Sequence, residues 1–232
     1  MNLKGKHALI YGATGGIGRA VMTELIAEGV QPYLIGRSQK SLEDLAVSFD
    51  IDPAAIICCD SITTEEDMDK VSHWLTQTNR VFQIGIHAVG KGLMKPAARL
   101  TLAEWKALID VNLTSAFSFY KLFSSVSDPQ GFELVYFSTA SLNRDWPKNA
   151  LYGASKSGLE AFSRSLQQEI KPIGGRVWLY RAGSIHTGFF DSVKNHLPFH
   201  KMITPEQIAR LVVSNFKQPT GIYFPVIPVL SE

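Results

Sequence analysis

Two residues of this sequence, Tyr152 and Lys156, have the types and the spacing of a proton-transfer pair. Within a helix, side chains four positions apart project from the same face, one turn from each other. A free tyrosine has a pKa of about 10 and is a poor proton donor or acceptor at neutral pH. Because a nearby ammonium group favours the phenolate, we expect Lys156 to lower the pKa of Tyr152, as general acid–base catalysis requires. The same spacing also occurs between solvated neighbours on surface helices.

A glycine-rich segment near the amino terminus could hold a phosphate group. It reads Gly12-Ala13-Thr14-Gly15-Gly16-Ile17-Gly18 and follows the apolar run His7–Tyr11. Glycines in such a turn let the backbone approach a pyrophosphate, which then lies at the positive end of the next helix. The spacing G-x-x-x-G-x-G differs from the G-x-G-x-x-G of other dinucleotide-binding folds.

Strand-like and helix-like segments alternate along the chain and predict the elements that must position these residues. Repeated βα units imply an α/β fold, a Rossmann-like doubly wound parallel sheet of about seven strands flanked by helices, with residues 1–232 as a single domain. The predicted strands are 7–11, 31–35, 54–59, 81–87, 132–138, 176–181 and 221–226. The predicted helices are 16–28, 40–49, 64–78, 102–125, 151–171 and 204–216, with start signals at Thr64, Thr101 and Thr204.

Composition narrows the class of protein. The 232 residues are 45% hydrophobic and 19% charged, which is typical of a globular protein with a substantial core. A net charge of +2 and the absence of a long basic run argue against nucleic acid or an acidic membrane as the main partner. The amino terminus lacks the pattern of a signal peptide. The adjacent Cys58 and Cys59 would point to opposite faces of a strand, so we expect no disulfide, no metal site and a reducing cytoplasm.

These motifs, in this order, resemble the short-chain dehydrogenase/reductase family from about residue 4 to about residue 227. The family opens with T-G-x-x-x-G-x-G; here the three glycines match and Tyr11 replaces the threonine. The resemblance implies an oxidoreductase that interconverts a carbonyl and a secondary alcohol of a small molecule by hydride transfer. A non-catalytic NADP(H)-binding sensor on the same fold is the alternative.

The resemblance also implies the catalytic roles. Tyr152 would act as the acid in reduction and the base in oxidation, while Lys156 would also bind the nicotinamide ribose. Asn112 matches the asparagine that holds a water in the proton relay. The family serine lies thirteen residues before the tyrosine, which here is Thr139. Ser138 is the alternative if the intervening loop holds one extra residue, and Ser141 is a weaker one.

The end of the second predicted strand bears on the choice of cofactor. An acidic residue there would bind the adenosine ribose and favour NAD. The chain instead has Gly36 followed by Arg37, whose guanidinium suits a 2′-phosphate, and Ser38 can add a donor. We therefore expect NADP(H) to be preferred over NAD(H).

Further cofactor contacts follow from the resemblance alone. The family's N-N-A-G is His87-Ala88-Val89-Gly90 here, and a lone histidine that ends an apolar strand is more typical of a structural role. The family's P-G-x-I-x-T is matched from Ala182, which replaces the proline. The contacts implied are Asp60 at the adenine, Ser61 in the same turn, Ala88, Gly90, Gly183, Ile185 at the carboxamide and Thr187.

The remaining expectations concern the substrate side and assembly. Residues 186–200 fall where the family places a flexible substrate lid, and Trp146 lies in the loop before Tyr152. Many members of the family have a longer ending after the last strand, with a V-D-G-G-like turn that helps to build a tetramer, whereas only a short tail follows 221–226 here. We therefore expect a homodimer through the two long helices that carry Asn112 and Tyr152, with a tetramer as the alternative. The apolar lid residues are Phe189, Phe190, Leu197, Pro198 and Phe199, and their aromatic members together with Trp146 would make the pocket partly apolar.

Overall fold

A parallel sheet, built from buried apolar runs, forms the centre of the molecule. The computed structural model describes residues 2–187, 202–219, 224 and 226–230. Within them the sheet has the strand order β3-β2-β1-β4-β5-β6-β7, and every neighbouring pair is parallel. This order confirms the predicted doubly wound, Rossmann-like class. The strands are β1 His7–Tyr11, β2 Gln31–Gly36, β3 Ile56–Cys58, β4 Ile84–His87, β5 Glu133–Thr139, β6 Arg176–Ala182 and β7 Ile227–Val229.

Helices cover both faces of the sheet, as an all-parallel sheet requires. The helices are α1 Gly16–Ala27, α2 Gln39–Phe49, α3 Glu65–Thr78, α4 Leu102–Ile109, α5 Ser115–Ser124, α6 Ala150–Ile170 and α7 Pro205–Phe216. Apolar residues of α1, α2 and α7 pack on one face, and those of α3, α5 and α6 pack on the other. Both faces of the central strands are therefore buried from solvent.

The three predicted start signals act as helix caps. The Thr64 side chain accepts a hydrogen bond from the third residue of α3. Thr101 before α4 and Thr204 before α7 each form a reciprocal capping box with the residue three positions later. Such caps satisfy backbone N–H groups that have no partner within the helix.

The helix predicted over 102–125 is helical along 102–124, but the type of helix changes inside it. A π-helical turn, Asp110–Thr114, separates α4 from α5. The Ser115 hydroxyl donates to the carbonyl of Val111 across this turn, at 2.7 Å. Asn112 lies inside the turn, so the wider backbone spiral sets the direction of its side chain.

Several other boundaries differ from prediction. Strand β3 begins two residues later than predicted because Pro53–Ala55 forms a 3₁₀ turn. Strand β4 begins at Ile84, whereas the predicted run began at residue 81. Of the strand predicted over 221–226, residues 221–223 and 225 lie outside the described residues. The lid residues Phe189, Phe190, Leu197, Pro198 and Phe199 also lie outside them.

The two cysteines lie on opposite faces of the sheet, as their neighbouring positions predict. Cys58 and Cys59 are both free thiols. Cys59 is buried, whereas Cys58 is partly exposed and its Sγ contacts the carbonyl oxygen of Arg37 at 3.4 Å. Over the residues that the structure describes, no helix has the length and apolar character needed to cross a membrane.

The strand order places a crevice at the carboxyl edge of the sheet. Strand β1 lies between β2 and β4, so the chain leaves the sheet in opposite directions on its two sides. The Ala88 amide donates to the Tyr11 carbonyl at 2.9 Å, which holds the turn after β4 against the turn after β1. Ligands of doubly wound sheets bind at such a point.

Candidate active site

A cavity of about 420 Å³ opens at this edge, where β1, β4, β5 and β6 end. Its volume is in the range of small-molecule and cofactor sites. Most of the residues selected from the sequence line it, although they come from distant parts of the chain. The lining residues are Thr14, Gly15, Gly16, Ile17, Ala88, Val89, Gly90, Phe137, Ser138, Thr139, Tyr152, Lys156, Ala182, Gly183, Ile185 and Thr187.

The glycine turn admits no larger side chain at its two ends. Gly12 has a φ of +97°, and a Cβ there would lie 3.0 Å from the Ala88 backbone. A Cβ on Gly18 would lie 2.2 Å from the carbonyl oxygen of Gly12. These two glycines therefore shape the turn and pack helix α1 against it, without lining the cavity.

The amino terminus of α1 is open toward the cavity. Gly15 precedes the helix, no side chain caps it, and Gly15, Gly16 and Ile17 all line the cavity. The first backbone N–H groups of a helix have no intrahelical acceptor, and they carry the positive end of the helix dipole. The turn therefore fits the diphosphate of a dinucleotide.

Tyr152 and Thr139 meet at the cavity wall. Tyr152 lies in the first turn of α6, and Thr139 is the last residue of β5. Their side chains are hydrogen-bonded, and this bond partly offsets the effect of burial, which raises the pKa of Tyr152 to about 12. The phenol is consequently protonated at neutral pH.

Lys156 lies one turn further along α6 and is buried. Its Nζ donates to the carbonyl oxygen of Phe137 at 2.8 Å, which holds α6 to the end of β5. Burial lowers the pKa of Lys156 to about 8. At the phenol the upward shift from burial is the largest effect on the pKa, so the lowering of the pKa of Tyr152 by Lys156 stays a prediction.

Asn112 is fully buried and lies behind the cavity wall. Its Oδ1 accepts from the Lys91 amide at 2.8 Å, and its Nδ2 donates to the Lys91 carbonyl at 2.9 Å and to the Ser155 hydroxyl at 3.0 Å. Asn112 thereby joins the π-helical turn to the loop after β4 and to the helix of Tyr152.

The hydroxyl groups of Ser138 and Thr139 have different partners. Neighbours on a strand point to opposite faces. The Ser138 hydroxyl donates to Glu160 Oε1 at 2.6 Å, inside the protein. The Thr139 hydroxyl bonds Tyr152 and also donates to Ser141 at 3.1 Å. The geometry supports Thr139 over Ser138 and Ser141 in the role that the family gives to serine.

The predicted adenosine contacts lie beyond this cavity. Arg37 is exposed at the end of β2, and Ser38 caps α2 by accepting from the Ser41 amide. Asp60 is exposed after β3, and the hydroxyl of Ser61 is hydrogen-bonded to Thr63 at 2.7 Å. These four residues (Arg37, Ser38, Asp60 and Ser61) follow neighbouring strands, which places them at the same edge of the sheet as the cavity.

Two departures from the family pattern contact each other. The rings of Tyr11 and His87 meet edge-on, with centroids 5.7 Å apart. His87 is buried, and its Nε2 is 2.8 Å from the hydroxyl of Ser115, beside the π-helical turn. Burial lowers the pKa of His87 to about 3, so the ring is neutral. This environment matches the expected structural role.

Two loops are continuous with residues that line the cavity. Residues 88–101 follow β4, and residues 140–149 separate Thr139 from α6. The Lys95 amide donates to the carbonyl of Lys148 at 2.9 Å and joins the two loops. The guanidinium of Arg144 lies 3.8 Å from the ring centroid of the exposed Trp146.

Glu160 and Arg181 form a polar cluster beneath the site that the sequence analysis missed. Glu160 follows Lys156 by four positions and is buried, and it accepts hydrogen bonds from Ser138 and Arg181. A glutamate on the same helix face as Tyr152 and Lys156, which must face the sheet, is the signal that could have revealed it.

Comparison with known proteins gives a family match and many related folds. The family model described as short chain dehydrogenase matches residues 6–198. An uncharacterised oxidoreductase of Staphylococcus aureus (strain MW2) is 24% identical over 221 residues, which cover 95% of this chain and 94% of that protein.

Solved structures share the fold at low sequence identity. A short chain dehydrogenase of Escherichia coli CFT073, in complex with NADPH, has a TM-score of 0.86 and 20% identity, covering 98% of this chain and 97% of that one. A 3-oxoacyl-[acyl-carrier protein] reductase of Brucella melitensis, with bound NAD, has a TM-score of 0.84 and 20% identity, covering 99% of this chain and 91% of that one. Both kinds of nicotinamide cofactor thus occur among these folds.

Proposed function

The chain belongs to the short chain dehydrogenase family of oxidoreductases, and we propose that it uses NADP(H) to interconvert a carbonyl and a secondary alcohol of a small molecule. One observation carries the proposal: Tyr152, hydrogen-bonded to Thr139, shares a cavity with the open amino terminus of α1. The cavity therefore contains both a proton donor, Tyr152, and a site suited to a diphosphate, the amino terminus of α1.

The nicotinamide, when bound, supplies or accepts the hydride. The protein handles the proton and the orientation of the substrate. Tyr152 donates its phenolic proton to the carbonyl oxygen, and the Thr139 hydroxyl donates a hydrogen bond to the same oxygen. Because Tyr152 is protonated at neutral pH, the free site holds the acid form that carbonyl reduction requires.

Lys156 and Asn112 serve this proton transfer. Lys156 lines the cavity, where it would bind the ribose hydroxyls of the nicotinamide nucleotide, and its bond to Phe137 holds α6 in place. Asn112 holds the Lys91 backbone and the Ser155 hydroxyl by hydrogen bonds. It thereby shapes the place where a water of the proton relay would bind. Replacement of the family's serine by Thr139 narrows the space for the substrate by one methyl group.

The preference for NADP(H) rests on Arg37. It ends β2, where an acidic residue would favour NAD, and it is exposed and able to meet a 2′-phosphate. Gly12, Thr14, Gly15, Gly16, Ile17 and Gly18 would hold the diphosphate, and Ser38, Asp60 and Ser61 the adenosine. Ala88, Gly90, Gly183, Ile185 and Thr187 would hold the nicotinamide half.

The alternative of a non-catalytic sensor is not favoured. A sensor needs only the dinucleotide site, whereas this cavity also contains the hydrogen-bonded Thr139–Tyr152 pair and Lys156. We further propose that residues 1–232 form one domain, that the protein is a cytoplasmic homodimer, with a tetramer as the alternative, and that nucleic acid and membranes are not its partners.

An NADPH-oxidation screen over ketones, aldehydes and quinones tests the function. We expect turnover with at least one class, and its loss in Tyr152→Phe. Binding of NADPH is measured in parallel by quenching of tryptophan fluorescence. Tight binding of NADPH without turnover of any carbonyl would favour the sensor instead.

A further inference from the structure

Strands β5 and β6 and helix α6, which carry or lead to the proposed catalytic and nicotinamide-binding residues, meet at one buried carboxylate, that of Glu160. The residue lies on α6, one turn after Lys156 and two turns after Tyr152. Its Oε1 accepts from the Ser138 hydroxyl at 2.6 Å and from Arg181 Nε at 2.9 Å, while its Oε2 pairs with the Arg181 guanidinium. Ser138 belongs to β5 and Arg181 to β6.

The same cluster reaches the loop that follows Thr139. The guanidinium of Arg181 donates to the Asn143 side chain at 3.2 Å, at the end of the 3₁₀ turn Ala140–Asn143. The Glu160 side chain is 5% exposed and that of Arg181 is 28% exposed, so this bidentate pair lies largely out of water. Removing one member of such a pair leaves the other charge without a partner, which is far more costly than at the surface.

The position of Ser138 gives the cluster its relation to the chemistry. Its neighbour Thr139 bonds Tyr152, so two adjacent residues at the end of β5 are both held to α6. Strand β6 leads directly from Arg181 to Gly183 and Ile185, which line the cavity. A shift of any one element would change the spacing between the proton donor, its hydroxyl partner and the nicotinamide site.

We propose that Glu160 is a positioning residue for the oxidoreductase site: with Ser138 and Arg181 it sets the distance between Thr139 and Tyr152 and between that pair and the turn after β6. This inference rests on the proposed function for its catalytic consequence. Glu160 itself touches neither the cavity nor the reacting atoms. Its effect passes through the end of β5 and the first turns of α6.

The opposite end of the same two strands provides a matched control. Glu133 and Arg176 form a second buried ion pair between β5 and β6, at 2.6 Å. Glu133 lies six residues before Thr139, or about 20 Å along the strand. The two pairs are alike in chemistry, although the Arg176 side chain is 7% exposed and that of Arg181 is 28% exposed, and only the Glu160 pair adjoins residues that line the cavity.

The experiment compares Ser138→Ala, Glu160→Gln and Glu133→Gln with wild type on the best substrate of the NADPH screen. Glutamine keeps the size of glutamate but loses the charge that Arg181 requires. We expect kcat to fall about 10- to 100-fold in Glu160→Gln, with KM for both substrates within about threefold, since small misplacements of reacting groups have effects of this size. In Ser138→Ala, which removes a single hydrogen bond, we expect a fall of about threefold to tenfold.

Glu133→Gln should lower the melting temperature but leave kcat within about twofold, because distant sites act independently. Equal kcat losses in Glu133→Gln and Glu160→Gln, or losses confined to KM, would overturn the positioning role. If Glu160→Gln does not fold, a larger loss of kcat in Ser138→Ala than in Glu133→Gln supports the positioning role, and equal losses overturn it.

Hydrogen exchange separates failure of this inference from failure of the proposed function. If wild type oxidises no NADPH, the proposed function fails, and exchange over residues 138–143 becomes the deciding measurement. Faster exchange there in Ser138→Ala and Glu160→Gln, but not in Glu133→Gln, supports the positioning of β5 by Glu160. Unchanged exchange in that segment would overturn it.

Discussion

The side chains of Thr139 and Tyr152 are hydrogen-bonded at the cavity wall, although thirteen positions separate them in the chain. This contact joins the last residue of β5 to the first turn of α6. It also leaves the neighbouring Ser138 on the other face of the strand, bonded to Glu160. The two adjacent hydroxyl groups are thus assigned different tasks.

Substitution of each hydroxyl tests that assignment. We expect Thr139→Ala to lower kcat by about 10²- to 10³-fold, the loss associated with one donor to a developing oxyanion. Ser138→Ala should lose less, and Thr139→Ser should retain most of the activity because it keeps the hydroxyl. Steady-state kinetics on one carbonyl substrate measures all three; a larger loss at Ser138 would exchange the two roles.

Removal of the Tyr152 hydroxyl should abolish turnover and leave the cofactor site intact. We expect Tyr152→Phe to lower kcat by at least about 10²-fold, the lower end of the contribution of a general acid. The dissociation constant for NADPH should stay within about twofold, since no phosphate contact is lost. A fully active phenylalanine variant would end the proposed mechanism.

Arg37 should determine the choice between NADPH and NADH. We expect wild type to bind NADPH at least about tenfold tighter, which corresponds to one charge-assisted hydrogen-bonded pair. Arg37→Gln should weaken the binding of NADPH and leave the affinity for NADH unchanged. Arg80→Gln, at another exposed arginine just before the amino end of β4, is the matched control and should change neither affinity. Equal affinities in wild type would refute the argument.

Burial of Lys156 predicts a pH dependence of stability. Its pKa is about 8 in the folded protein and ordinarily 10.5, so between these values the unfolded chain binds more protons than the folded one. The free energy of unfolding contributed by Lys156 therefore rises as pH goes from about 8 to 10.5, by at most about 3 kcal/mol.

The comparison with Lys156→Met isolates this contribution from other groups that titrate in the same range. The difference in unfolding free energy, wild type minus variant, should increase over that pH interval and stay flat between pH 6 and 7.5. Urea denaturation at each pH measures it. A flat difference up to pH 10.5 would mean that the folded state leaves this pKa unshifted.

The expected dimer can be tested at an exposed aromatic residue of α5. Phe117 is 50% exposed on this helix, which follows the π-helical turn of Asn112, and Trp105 on α4 is also exposed. We expect Phe117→Glu to convert the dimer to a monomer in size-exclusion chromatography with light scattering. Val47→Glu, at an 86% exposed position of α2, should leave the dimer unchanged. A monomeric wild type would contradict the proposed assembly.

Local sequence patterns were sufficient for most of the sheet and most of the helices, and the family resemblance supplied many of the residues around the cavity. Alternation of apolar runs with helical periodicity sets the βα units, and the turn at Gly12 has a backbone that few other residues could adopt. Tyr152 and Lys156 lie on one helix face because of their spacing alone. Such features depend on neighbours in the chain, and the sequence contains those neighbours.

The features that the sequence did not reveal depend on contacts between distant segments. The π-helical turn accompanies bonds from Asn112 to the Lys91 backbone, twenty-one residues away. The raised pKa of Tyr152 results from burial, which only the folded protein determines. The role of Glu160 requires Ser138 and Arg181 to meet it from two different strands.

The hydrogen bond from the Lys95 amide to the Lys148 carbonyl has a consequence for redesign of substrate range. The loops after β4 and before α6 share this bond, and Lys148 holds a left-handed backbone, with φ of +66°, at the point of contact. Exchange of one loop with that of a relative would leave the other without its partner. Grafts of both loops together should be tolerated where single grafts are not, so the two loops form the smallest unit in which substrate selectivity can be transplanted.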